Sequence, residues 1–159
     1  MKLNKELENA VLIGDINLIK TILKQGSDLN IKDNFGRTII YDAIVKGFDE
    51  VVEILCESNA QINIFDKDGK TPLHFAAIHQ KFQIAKFLIY SGADVNAKDI
   101  YGNTPLGDAV FYSKGMPDII VLLIENRADY NIQNNYGISP KTLAETISNF
   151  DVSYLFKQS

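Results

Sequence analysis

Apolar residues in this 159-residue chain fall in short helical runs separated by polar turns, and the pattern is clearest between Asp66 and Lys98. Asp66-Lys67-Asp68-Gly69 reads as a tight turn, with Gly69 free to take the positive φ such a turn requires. Thr71 then stands as an N-cap before Pro72, whose missing N–H costs nothing at the first helical position. Leu73, Ala76 and Ala77 recur at helical spacing and predict one narrow apolar face. After a break near Gln80, Ile84, Phe87 and Leu88 predict a second, which Gly92 ends as a left-handed C-cap. Helices this short are marginal in water. The unit needs neighbours to cover both faces.

The chain supplies them at a fixed period. Thirty-three residues earlier stand Asp33-Asn34-Phe35-Gly36, Thr38, Ala43, Val51, Leu55, Ala60 and Asn63; 33 residues later stand Asp99-Ile100-Tyr101-Gly102, Thr104-Pro105-Leu106 and Ala109. Beyond that point the offset becomes 35, with Ala93 matching Ala128 and Asn96 matching Asn131, so two residues are inserted. A turn and two helices per 33 residues, with the string Thr71-Pro72-Leu73-His74-Phe75-Ala76, resembles the ankyrin-repeat family over essentially the whole chain. The resemblance implies an all-α fold, an ankyrin-repeat solenoid of about five stacked helix-turn-helix units with short hairpin loops. It divides a single domain, 1–159, into an N-terminal cap repeat 1–32, internal repeats 33–65, 66–98 and 99–133, and a C-terminal cap repeat 134–159.

Departures from the pattern are specific. In the first unit Leu7, Ala10 and Val11 are expected on one helix and Leu18, Ile22 and Leu23 on the other, with Gly26 as the stop; Lys2, Lys5, Glu6 and Glu8 leave a polar outer face, as an end repeat requires. The second unit keeps Thr38 as an N-cap but has Ile39, Ile40 and Tyr41 for Pro-Leu-His, and aligns Asp49, Glu53 and Glu57 in one exposed stripe. The fourth has Gly107 in place of histidine and carries its insertion within Tyr112–Pro117, with Pro117 expected to open the next helix. The fifth begins Ser139-Pro140, has Lys141 for the buried leucine, and is expected to end in a short helix from Asp151 to Lys157. Asn96 lies in a context similar to that modified by asparaginyl hydroxylases, although an asparagine that bonds the turn backbone needs no enzyme.

Composition narrows the function. A net charge of −4 lacks the basic face that nucleic acid demands, and it alternates along the units, so no single long-range field steers a partner. No run approaches the length of a membrane span, and the start MKLNKELENA, which carries acids and lacks a long apolar run, does not read as a secretory signal. The one cysteine, Cys56, rules out an internal disulfide framework and suits a reducing compartment: the cytoplasm, or a host cytosol for a secreted effector. His74 and His79, with one remote cysteine, do not make a zinc site, and no nucleophile elbow, Walker loop or H-E-x-x-H string occurs. No catalytic, cofactor or metal residues are expected.

What remains is surface. In the resembled family the hairpin tips and the inner ends of the first helices form a concave groove for another protein, and the histidine of T-P-L-H is structural, which assigns His74 to the turn. Carried over position by position, the tips contribute Phe35, Arg37, Lys67, Lys70, Ile100, Tyr101, Asn103 and Tyr136, with Phe65 just before one of them. The helix ends contribute Lys46, His79, Phe111 and Tyr112. Rigid rings bury much area at little entropic cost. Phe35, Tyr101 and Tyr136 can instead pack on the neighbouring tip; Phe111 and Tyr112 abut the insertion and are the stronger candidates. The expected function is a monomeric, non-catalytic protein-binding module. The alternatives are an inhibitor or immunity-type protein that blocks an enzyme, or a self-assembling structural protein.

Overall fold

The computed structural model describes residues 2–147 and 152–156. Nine α-helices are present among them: α1 (Lys2–Ile13), α2 (Ile16–Leu23), α3 (Ile39–Lys46), α4 (Asp49–Glu57), α5 (Pro72–Ile78), α6 (Phe82–Tyr90), α7 (Pro105–Tyr112), α8 (Asp118–Glu125) and α9 (Pro140–Thr146). A 3-10 turn, Ser153–Phe156, packs against α9. The odd-numbered helices stack on one another in order, and α2, α4, α6 and α8 form a second row behind them.

The stacking follows from what recurs at each register position. Ala10, Ala43, Ala76, Ala109 and Ala144 are all buried, and their small side chains let successive first helices approach closely. Leu7, Ile40, Leu73 and Leu106 fill the space beside them, while Ile22, Leu55, Leu88 and Leu123 build the core of the second row. Left-handed residues recur too. Gly26, Asn59, Gly92 and Arg127 all have positive φ just past the second helices, and Gly14, Gly47 and Gln80 do so between the paired helices.

Several expectations need correction. Leu18 is exposed and Ile19 takes its place in the core, because no described helix packs on the outer side of α2. Phe87 is only half-buried; Ala85 is the residue that joins Ile84 and Leu88 inside. Thr38 is the N-cap residue of α3 but makes no side-chain capping bond, and Tyr41, at the position of the reciprocating histidine, reaches instead to the Ile64 and Lys70 carbonyls. Pro117 is the N-cap of α8, one residue before the first helical position, and the bend ahead of it is made by Lys114 and Gly115, both at positive φ. The described part of the final segment is a 3-10 turn instead of an α-helix; Asp151, Lys157 and the Lys2 side chain lie outside the described residues.

Two substitutions test this packing. Leu73→Ala is expected to lower unfolding free energy by about 2–5 kcal/mol in denaturant titrations, as a fully buried truncation between two helix layers. Gly107→Ala is expected to raise it by up to about 1 kcal/mol, because a methyl group there would meet nothing closer than Thr104 Oγ1 at 3.8 Å.

Candidate partner-binding groove

Each hairpin tip is closed by one side chain. Asp33 Oδ1 accepts from the N–H groups of Phe35 and Arg37, Asp66 Oδ1 from Asp68 and Lys70, and Asp99 Oδ1 from Tyr101 and Asn103. Asn134 does the same for Tyr136 and Ile138. The left-handed glycine in each turn also permits close stacking: a Cβ on Gly69 would stand 2.8 Å from Ile100 N, and one on Gly102 2.9 Å from Asn135 N. Backbone bonds then join tip to tip, from Lys67 N to Phe35 O (2.9 Å), Ile100 N to Asp68 O (3.0 Å) and Asn135 N to Tyr101 O (2.9 Å).

Long polar side chains reinforce these joints in the groove, and they change along the array. Arg37 Nε lies 3.2 Å from Asp66 Oδ2, with its guanidinium 4.7 Å from the Phe75 ring centroid. One repeat on, Lys70 Nζ lies 2.9 Å from Asp99 Oδ2 and 2.9 Å from Asp108 Oδ2. At the next joint the equivalent residue is Asn103, whose Oδ1 accepts from Asn134 Nδ2 at 2.8 Å. Burial works against the Lys70 charge, but Asp108 and Asp99 more than offset it and hold its pKa above the usual lysine range. Burial likewise opposes ionisation of Asp99, yet Lys70 and the Asn103 N–H keep that carboxyl below its usual range. Asp108 is raised: burial outweighs the pull of Lys70, and Asp99 adds to the shift.

Behind the tips, one register position is filled in three ways. His74 is fully buried; its Nδ1 accepts from Thr71 N at 3.1 Å, and the resulting Nε2–H donates to Asn103 O at 3.2 Å. Tyr41 crosses the preceding joint, its hydroxyl facing the carbonyls of Ile64 (2.8 Å) and Lys70 (2.9 Å). Gly107 makes no such link. The space in front of it opens into a cleft of about 390 Å³ floored by Lys70, Asp99 and Asp108 and walled by Tyr101, Phe111 and Tyr112.

The structure separates the sequence-derived candidates into two sets. Phe35, Lys46, Phe65, Lys67, His79, Ile100, Tyr101, Phe111, Tyr112 and Tyr136 are exposed. Arg37, Lys70 and Asn103 are not free: each is part-buried and holds two tips together, so their first role is structural. Phe111 and Tyr112 pack edge to face at 4.9 Å, yet remain 61% and 40% exposed. The half-buried Cys56 thiol is pushed up by burial, which suits packing more than reactivity. Ile138, expected at a tip, lines the cleft, as do Asp108 and Leu143, which the sequence did not single out; an acid at the register of buried Phe75 was the available signal for Asp108. Asn96 bonds the next unit's backbone, with Oδ1 accepting from Asp129 N at 2.8 Å. Among the described residues no three His, Cys, Asp or Glu side chains converge as metal ligands, and no helix is long and apolar enough to cross a membrane.

Paired helices stacked in two rows, with tips closed by an aspartate or asparagine and a left-handed glycine, define a helical-repeat solenoid. A sequence profile described as Ankyrin repeats (3 copies) matches residues 7–99, and one described as Ankyrin repeat matches residues 101–135. The chain belongs to the ankyrin-repeat family. Members of that family are generally protein–protein interaction modules and generally non-catalytic. No curated protein matches the chain.

The buried histidine makes stability depend on pH. Burial first, and Lys70 after it, hold the His74 pKa down from 6.5 to about 4, against the smaller pull of the Asn103 carbonyl and nearby acids. Between those values the unfolded chain binds a proton that the folded chain excludes. The His74 contribution is therefore complete above pH 6.5 and lost as pH falls toward 4, by about 3 kcal/mol in all. His79 acts weakly in the same sense, whereas Asp42 and Asp108, both raised, act in the opposite one. Denaturant midpoints measured across this window should fall for the native chain and stay much flatter for His74→Gln.

Proposed function

We propose that the chain is a non-catalytic binding module that docks another protein in its concave groove, across the repeats spanning 33–65, 66–98 and 99–133. The observation that carries this reading is the exposed ring pair Phe111 and Tyr112 beside Tyr101, at the edge of the cleft where the two-residue insertion interrupts the repeat. Rings of this kind, held on helix ends and zipped tips, lose little freedom when a partner covers them. A groove of several repeats offers about 800 Å² per partner, the area of a standard interface. The acidic net charge and the thiol Cys56 accord with a protein partner met by a monomer in a reducing compartment such as the cytoplasm.

Affinity capture from the native source, with the intact chain and a Tyr101→Ala/Tyr112→Ala double variant as baits, tests the reading. A partner held by the first bait and lost from the second, with the melting temperature unchanged, is the expected result. Retention of the same proteins by both baits would defeat it. Early melting of the variant would place the rings in the packing. An activity assay of the captured partner then separates docking from inhibition.

A further inference from the structure

The groove changes character at one joint, and the change has a chemical direction. Arg37 is matched to one carboxylate, Asp66, with the Phe75 ring beneath its guanidinium. Lys70 faces two carboxylates, Asp99 and Asp108, which leaves that cluster one negative charge in excess. At the following tip, where the pattern would place a third long base, Asn103 is short and neutral and turns to Asn134. Gly107 removes the neighbouring ring as well. A hole therefore stands where the two preceding joints each lay a cationic side chain, and it borders the excess charge.

The acceptor is accessible. Asp108 is only 7% exposed and meets Lys70 through Oδ2, while its Oδ1 has no hydrogen-bond partner among the described residues. Among the described residues no fully buried side-chain oxygen lacks a partner, so Oδ1 keeps some exposure, and Asp108 lines the cleft. The walls add the second requirement. The rings of Tyr101, Phe111 and Tyr112 line the opening, and ring faces attract cations most strongly where water is partly excluded. An anion would gain only the Lys70 ammonium, already shared by two carboxylates, and would meet the uncompensated charge of Asp108.

We infer that the cleft beside Gly107 receives the cationic side chain of a lysine or arginine presented by the partner protein, held by Asp108 and by the rings of Tyr101, Phe111 and Tyr112. The partner thereby supplies at this joint the base that Arg37 and Lys70 supply at the earlier ones. The inference rests on the groove-binding reading above and assigns that groove its anchoring chemistry.

The test needs no knowledge of the partner. The isotope-labelled full chain is titrated with N-acetyl-arginine N-methylamide and its lysine counterpart, with the citrulline and glutamate analogues as neutral and anionic controls. Saturable NMR shifts at the Gly107 and Asn103 amides and the Tyr101, Phe111 and Tyr112 rings are expected for the cationic probes, with affinity about tenfold above citrulline. Asp108→Asn should weaken the cationic probes about fivefold or more. Phe111→Leu, at an exposed ring whose loss leaves the core intact, should do so independently. Equal binding of citrulline, preference for the glutamate analogue, absence of saturable shifts at these residues, or indifference to both substitutions would overturn the assignment. The two readings fail separately. Cation binding without any groove-dependent partner would leave the subsite and remove the docking reading, and a groove-dependent partner without cation binding would do the reverse.

Discussion

Everything in this solenoid depends on how a hairpin tip disposes of its polar groups. A tight turn leaves backbone N–H groups pointing inward, and a stacked turn shields them from water, where an unpaired donor is costly. Asp66 and Asp99 answer with both oxygens: Oδ1 closes the residue's own turn and Oδ2 takes the base of the preceding repeat. One carboxylate thus serves folding within a repeat and cohesion between repeats. The same division of labour recurs at the opposite corner, where Asn30, Asn63 and Asn96 accept from the backbone N–H of the following unit. Because each repeat is too short to be stable alone, these joints, together with the buried alanine row, convert short helices into one continuous stack.

The joints are not equivalent, and the proposed docking rests on their variation. From Arg37–Asp66 through Lys70–Asp99–Asp108 to Asn103–Asn134, the bridging side chain loses first its planar fork and then its charge. Behind them, Tyr41, His74 and Gly107 occupy one register position with a crossing hydroxyl, a buried neutral imidazole and nothing. Where both substitutions coincide a cleft opens, with Phe111 and Tyr112 at its edge, at the end of α7 beside the insertion. A site on ordered helix ends keeps its geometry before a partner arrives, which lowers the ordering cost of binding.

The repeat period, the turns, the helix starts at Thr71-Pro72, Thr104-Pro105 and Ser139-Pro140, and most buried positions were readable from the chain alone. They are set by local chemistry: a glycine at positive φ, a hydroxyl that caps, apolar residues one helical turn apart. Exposure of Phe111, Tyr112, Tyr101 and Tyr136 could be read in the same way, since a repeat fixes which side of each unit faces out. Partnerships across 29 to 38 residues could not. The links Lys70 to Asp108, Tyr41 to the Lys70 carbonyl and Arg37 to the Phe75 face exist only once neighbouring units are stacked. They give Arg37, Lys70 and Asn103 a structural tie to the next tip, and they leave Asp108 with one oxygen unclaimed among the described residues. Spacing along a chain governs what a residue does to its own backbone; contact between chain segments governs which charges are left over, because a charge is neutralised by whatever stands beside it in space.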